Sequence, residues 1–98
     1  MEKDKTILNL IERLKLIIDF SLIQIVDYWE ADFCAIGLKK GNKLVYISTY
    51  NNIEKELKYD YDLEILENID ENKIELFKEV RSVYEVELIR DIRTFLEV

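Results

Sequence analysis

The first quarter of the chain has hydrophobic residues at three- and four-residue steps, which is the spacing of an amphipathic helix. The stripe starts at Ile7, passes through Leu14 and Ile18, and ends at Trp29. Asp4 precedes it and is a suitable N-cap, because its carboxylate can accept a hydrogen bond from a free N–H group of the first turn. The pattern predicts one helix over residues 4–29, buried on more than one side.

Two alternating segments follow in "DFCAIGLKKGNKLVYISTY" and flank the pair Gly41-Asn42. Glycine accepts the positive φ of a tight turn, so this pattern predicts a β-hairpin. With the turn at this pair, Gly37 lies opposite Tyr46, where the missing side chain leaves room for the ring. The other opposed pairs are Ile36 with Ile47, Leu38 with Val45, and Cys34 with Thr49.

The second half of the chain predicts two further strands and a helix. The stretch "ELKYDYDLEI" alternates apolar with mostly acidic residues and predicts a strand over 57–66, and "KIELFKEVR" predicts another over 73–81. The segments "NNIEKE" and "NIDEN" are typical of polar connections. Ser82 and Glu85 have the spacing of a capping box, which marks the start of a helix. Its apolar stripe comprises Leu88, Ile89, Ile92, Phe95 and Leu96.

The predicted element order is therefore α-β-β-β-β-α in a single domain of residues 1–98. Strands joined as hairpins form an antiparallel sheet, and two amphipathic helices need its apolar face as a surface to cover. The predicted fold is α+β, a two-layer sandwich of a four-stranded antiparallel sheet with N-terminal and C-terminal helices. Helices on one face leave the other face open to solvent or to a partner.

The open face of this sheet is predicted to hold like charges opposite each other. A hairpin that pairs Leu66 with Lys73 opposes apolar residues on one face, which are Ile65 with Ile74, Leu63 with Leu76, and Tyr59 with Val80. On the other face it opposes Glu64 with Glu75, Asp60 with Glu79, and Lys58 with Arg81. Such pairs destabilise a sheet. Either a basic partner relieves the repulsion, or these are ordinary solvated residues of an acidic chain.

The charge of the chain favours one kind of partner. Its 98 residues include 21 acidic and 14 basic ones, for a formal net charge of −7. A negative field disfavours binding to nucleic acid and to anionic membrane surfaces, and it attracts a basic protein. The longest uncharged run near the N-terminus, "FSLIQIV", is too short for a membrane span. We expect a soluble, cytoplasmic protein.

The residue types that most enzymes and metal sites need are missing. The chain has no histidine, one cysteine and two isolated glycines, so it lacks a Ser-His or Cys-His pair, a zinc site and a glycine-rich phosphate loop. Asp60 and Asp62 could in principle hold a cation or do acid–base chemistry, but they lie on a flat strand. Cys34 is expected in the core. We expect no enzyme activity, no metal and no cofactor.

The candidate partner-binding residues combine carboxylates with rings on the predicted open face. Acidic residues interleaved with exposed aromatic rings suit a charge-complementary interface. The rings could instead cover a sheet edge or pack under a helix, and Trp29 is either a core cap or a partly exposed anchor. The candidates are Asp60, Asp62, Glu64, Glu75, Phe77, Glu79, Tyr46 and Tyr50.

Three stretches, "YWEADFCAIGLKKGNKLVYISTYNN", "YDYDLEI" and "VRSVYEVELIRDI", carry a resemblance in layout. The chain resembles the immunity proteins of bacterial polymorphic toxin systems, including those of contact-dependent growth inhibition. The resemblance implies a small, acidic, cytosolic protein that binds the C-terminal domain of a cognate toxin, often a basic nuclease, and blocks it. It carries no functional residue position by position.

Two other functions remain open from the sequence. One is a phage- or plasmid-borne inhibitor that imitates the charge of nucleic acid, although 14 basic residues dilute the acidic ones. The other is a homodimeric structural or adaptor module that uses an edge strand or the open face as its contact.

Overall fold

Two helices and a five-stranded antiparallel sheet make up the fold in the computed structural model, which describes residues 2–50, 57–66 and 74–98. The elements in chain order are helix α1 (Lys5–Lys15), a 3-10 helix (Phe20–Leu22), strands β1 (Gln24–Val26), β2 (Ala35–Lys40), β3 (Lys43–Ser48), β4 (Lys58–Leu66) and β5 (Ile74–Tyr84), and helix α2 (Glu85–Leu96). The α+β class is confirmed, but the sheet has one strand more than predicted. The predicted connections 51–56 and 68–72 lie outside the described residues. In the described ranges, neither helix is long and apolar enough to cross a bilayer.

The predicted helix over 4–29 is wrong beyond Lys15. Asp19 accepts hydrogen bonds from the backbone N–H and the hydroxyl of Ser21, at 3.0 and 2.6 Å, and so caps the short 3-10 helix. Such local bonds compete with a continuing α-helix. The next residues then form β1, in which Ile25 lies opposite Leu38 and Val26 opposite Gly37 of β2. This is the fifth strand.

Both helices pack on the same face of the sheet. Leu14 of α1 and Ile92 of α2 are fully buried in one cluster with Leu38, Ile47 and Tyr61 of the sheet. Burying a leucine or isoleucine stabilises the fold by about 1.5–3 kcal/mol each, so this shared core holds the helices in place. We call the opposite face of the sheet the outer face.

The register of the β2–β3 hairpin is confirmed. Gly41 has a φ of 62°, as the predicted turn requires, and Gly37 lies opposite Tyr46. The predicted partners are also found, which are Ile36 with Ile47 and Leu38 with Val45. The backbone N–H of Thr49 donates to the carbonyl of Cys34 at 2.8 Å, in keeping with the last predicted pair.

The predicted register of β4 with β5 is wrong. Glu64 lies opposite Leu76 in place of Glu75, which lies opposite Ile65. The other observed pairs include Leu66 with Ile74, Leu63 with Lys78, Asp62 with Glu79, Tyr61 with Val80, and Lys58 with Tyr84. Two irregularities shift the pairing along the hairpin, between Tyr59 and Tyr61 and between Leu63 and Glu64. Each bulge inserts an extra residue, and alternation alone does not reveal it.

Ser82 does not cap the last helix, so the predicted capping box is wrong. β5 continues to Tyr84, which is the N-cap of α2 and makes no side-chain capping bond. Ser82 instead lies in the strand with a φ of 57°, and its N–H donates to Asp60 Oδ1 at 2.8 Å. The predicted apolar stripe of α2 is confirmed, since Leu88, Ile92 and Leu96 are buried and Ile89 and Phe95 pack against the core.

A polar cluster joins the two helices to β4. Arg13 of α1 donates from Nη2 to Glu85 Oε1 of α2 at 2.8 Å and to the hydroxyl of Tyr59 at 3.1 Å. Tyr59 in turn donates to Glu85 Oε1 at 2.8 Å. Burial acts to raise the pKa of Glu85, but the hydrogen bonds from Arg13 and Tyr59 outweigh it and leave that pKa below its usual value.

Candidate interaction surface

The outer face carries some of the predicted site residues but not all of them. The register aligns Tyr46, Asp62 and Glu79 in one row across β3, β4 and β5. Asp60 lies opposite Ser48, and Glu64 lies opposite Leu44 in the neighbouring rows. These five predicted residues therefore share one face, as expected.

Phe77 and Glu75 do not belong to that group, contrary to the prediction. The ring of Phe77 stacks on that of Phe95 in α2, with centroids 5.5 Å apart, so it lies on the helix side. Glu75 lies opposite Ile65, which alternates with the core residue Leu63 along β4 and so shares its face. The bulge in β5 is the reason, because it changes which residues point to each face.

An arginine within the sheet relieves the repulsion between the strand carboxylates. Asp62 and Glu79 are directly opposite each other, but Arg81 Nη1 lies 2.9 Å from Asp62 Oδ1 and Arg81 Nη2 lies 3.4 Å from Glu79 Oε1. The predicted pairing of Arg81 with Lys58 is wrong. The like charges therefore do not require a partner to be tolerated.

We expect Arg81→Gln to lower the free energy of unfolding by about 1 kcal/mol at low salt, because it exposes Asp62 to Glu79 without a counter-charge. Urea denaturation at low and high salt measures this, and added salt should restore about half of the loss. Arg90→Gln, which removes an exposed arginine from α2, is the matched control. Equal effects of the two substitutions would contradict the assignment.

Glu64 is a partly buried carboxylate on this face. Burial raises its pKa, and the nearby carboxylate of Asp62 raises it further. Its neighbours across the strands are Leu44, which is fully buried, and Leu76, which is half exposed. Glu64 therefore lies at an apolar margin of the face.

Residues 27–34, between β1 and β2, form a second group of acidic and aromatic side chains. We call them the acid–aromatic loop; their sequence is "DYWEADFC", with three acidic residues, three rings and no basic residue. Tyr28 stacks on Tyr46 with centroids 6.2 Å apart, so the loop covers part of the outer face. The side chains of Trp29 and Phe33 remain exposed, at 67% and 56%.

The backbone of this loop is held on several sides. The N–H of Trp29 donates to the hydroxyl of Tyr46 at 3.1 Å. Asp32 accepts from the N–H of Cys34 at 3.0 Å, and Phe33 accepts from the N–H of Asp4 at 2.8 Å. The rings of Trp29 and Phe33 are thus presented to solvent from a fixed backbone.

Lys3 lies beneath the loop with only 1% of its side chain exposed. Its Nζ lies 2.7 Å from Asp27 Oδ1 and donates to the carbonyl oxygens of Asp32 at 2.7 Å and Trp29 at 3.5 Å. A buried ammonium group requires such compensation, because its transfer from water is otherwise very unfavourable. Lys3 therefore ties the N-terminal segment to three residues of the loop.

Two shallow depressions border Trp29. One, of about 280 Å³, lies over the strands and is lined by Trp29, Asp32, Tyr46, Asp60 and Asp62, among others. The other, of about 700 Å³, is mainly apolar and lies between Trp29, Phe33, Cys34 and Tyr50. Tyr50, a predicted site residue, is 67% exposed there. Trp29 thus separates a carboxylate-lined surface from an aromatic one.

The described residues offer no group of three histidine, cysteine, aspartate or glutamate side chains that could hold a metal ion. Cys34 is a free thiol and is half-buried at the margin of the apolar depression, not in the core as expected. The surface offers apolar contact at the rings and charge at the carboxylates, which are the two means by which protein interfaces recognise a partner.

The alternation in the sequence predicts the shared face of Tyr46, Asp60, Asp62, Glu64 and Glu79. It does not predict the loop that holds Trp29, nor the burial of Lys3. The composition of "DYWEADFC" was an available signal, since three acidic residues and three rings stand together without a basic one. No such signal existed for Lys3, which belongs to a charged N-terminal segment. Comparison of the chain with protein-family models, with curated proteins and with solved structures finds no match.

Proposed function

We propose that this protein is a binding protein of the immunity type, which neutralises a basic toxin domain by one-to-one blocking of its active site or substrate surface. The observation that carries the proposal is the exposure of Trp29, Phe33 and Tyr50 beside the carboxylates of Asp32 and Asp60, on a backbone fixed by hydrogen bonds. Exposed rings at the centre of a polar surface are typical of binding hot spots.

The charge of the chain supports a basic partner. With a net charge of −7, the protein attracts a positively charged domain over a distance and accelerates the encounter. A nuclease domain binds its substrate phosphates with basic residues, so the carboxylates of this surface would meet those residues and exclude the substrate. The action is stoichiometric, it needs no cofactor, and it takes place in the cytoplasm of the cell that is protected.

The direct test is to express the products of the genes next to this one with and without the chain, and to follow cell survival and nuclease activity. We expect survival only with the chain, a one-to-one complex in titration calorimetry, and an association rate that falls with salt. A toxin domain that stays fully active with the chain in excess would overturn the proposal. A stable homodimer that buries Trp29 would favour the adaptor function instead.

The proposed attraction of the basic partner by the surface carboxylates has its own test. Glu30→Gln together with Glu79→Gln should slow association about tenfold at low salt, because both carboxylates are exposed near this surface. Glu12→Gln together with Glu97→Gln changes the net charge equally from exposed positions elsewhere and is the matched control. Equal slowing by both pairs would mean that only the total charge steers the partner.

A further inference from the structure

The acid–aromatic loop differs from the strand carboxylates, because its two exposed rings are left in water whereas the strand charges are partly compensated. Asp62 and Glu79 already share Arg81, so their charges are partly compensated within the sheet. Among the described residues, nothing covers the rings of Trp29 and Phe33 to a comparable extent, and both face solvent. Keeping two large rings in water is unfavourable, since burial of apolar surface is the main favourable term in folding.

We propose that the acid–aromatic loop is the primary contact for the partner, and that Lys3 sets its shape in the free protein. Trp29 and Phe33 enter an apolar cleft of a basic protein domain, and Glu30 and Asp32 meet basic side chains at the rim of that cleft. This inference rests on the proposed function, since the partner is the same basic domain.

The contacts of Lys3 supply the argument for a preformed loop. Its ammonium group bonds to residues at both ends of the segment 27–32 and contacts the carbonyl of Trp29 between them. A loop fixed in the bound shape loses little conformational entropy on binding and so binds more tightly. Lys3 touches the partner nowhere in this arrangement and is a positioning residue.

A purely structural role for the loop does not account for its shape. The ring of Tyr28 stacks on that of Tyr46, and the backbone N–H of Trp29, not its indole, donates to the Tyr46 hydroxyl. Neither contact uses the indole of Trp29, which is 67% exposed. The charge of the loop selects the partner chemistry, because it has acidic and aromatic residues and no basic one.

Trp29 is the one tryptophan of the chain, so its fluorescence reports on the loop without any partner. In Lys3→Met, time-resolved anisotropy should show a roughly twofold larger amplitude of nanosecond motion at Trp29, because loop motions fall on this timescale once the tether is lost. Lys5→Met, at an exposed position in α1, is the matched control and should leave the signal unchanged.

Asp27→Asn removes the charge of the ion pair with little change of shape and serves if Lys3→Met fails to fold. It should move the Trp29 signal in the same direction. Unchanged anisotropy in a folded Lys3 or Asp27 variant overturns the role of Lys3, whatever the partner does. The anisotropy measurement is independent of the proposed function, because it uses the protein without any partner.

Titration calorimetry with the neighbouring gene product that the chain neutralises tests the contact itself. Trp29→Ala should weaken affinity roughly 30-fold or more, as expected of a hot spot, and Lys3→Met about tenfold through a less ordered loop. Leu16→Ala, which truncates an apolar residue that is 87% exposed near the end of α1, is the control and should change affinity less than about twofold.

The outcomes separate the two proposals. If the toxin domain binds Trp29→Ala as tightly as the natural chain, the loop is not the primary contact, while the proposed function stands. If the toxin domain does not bind the natural chain at all, both the proposed loop contact and the proposed function are wrong. Loss of affinity in Trp29→Ala with Leu16→Ala unaffected supports the loop as the contact.

Discussion

Replacement of Gly37 by valine should lower the free energy of unfolding by roughly 3 kcal/mol, because overpacking of a filled site forces its neighbours apart. A Cβ atom at this position would lie 2.6 Å from Val26 Cγ2 and 2.9 Å from Tyr46 Cδ2. Real Cβ atoms keep longer distances, so β1 or the Tyr46 ring must move. Gly37→Ala should show a smaller loss of the same sign.

Replacement of Gly37 by valine should also disturb the acid–aromatic loop. Tyr46 holds the backbone of Trp29 through its hydroxyl and stacks on Tyr28, so a displaced ring should shift the Trp29 emission. Urea unfolding measures the stability, and Lys39→Val, on the same strand and face, is the control. If the valine variant has the same free energy of unfolding as the natural protein, β1 and the loop can move aside without loss of stability.

The protein should lose stability steeply in alkaline solution, by on the order of 3 kcal/mol through Tyr59 alone. Burial, followed by the hydrogen bond to Glu85, raises the pKa of Tyr59 from 10.0 to about 12. Burial and the hydrogen bond to Asp91, 2.7 Å from the hydroxyl, also raise the pKa of Tyr61. Both side chains are 1% exposed.

The direction follows from proton binding. Between pH 10.0 and about 12 the unfolded chain loses the proton of Tyr59 while the folded protein keeps it. The folded state then binds more protons, so stability is complete below this window and falls as the pH rises through it. Tyr59→Phe should reduce the fall in the free energy of unfolding as the pH rises. Tyr50→Phe, at an exposed ring, controls for the titration of other groups, and equal profiles for both variants would contradict the argument.

The parts of the fold that follow from local pattern were predictable from the sequence. Gly41-Asn42 fixes the turn of the β2–β3 hairpin, and the alternation on both sides then leaves one register. The end of the first helix was not predictable in this way, because the apolar residues around Ile23 to Val26 suit a helix as well as a strand. Tertiary pairing with β2 decides between the two.

The candidate site was predictable only in part because bulges change faces. A bulge needs no special residue in β5, yet it moved Phe77 to the helix side and brought Arg81 to the carboxylates. Alternation gives the face of Tyr46 and Asp62 correctly, because β3 and β4 pair without a register shift. The burial of Lys3 could not be predicted for a different reason. Lysine is rarely buried, and only the folded structure places Asp27 beside it.

The order of the strands in the sheet is also their order in the chain, β1-β2-β3-β4-β5. Each strand can therefore pair with one that is already next to it in the sequence, which keeps the entropy lost in loop closure small. Contacts of α1 join more distant parts of the chain, such as Arg13 with Glu85, 72 residues apart. The chain can thus assemble hairpin by hairpin, with the N-terminal segment docking last and Lys3 closing the loop at that final step.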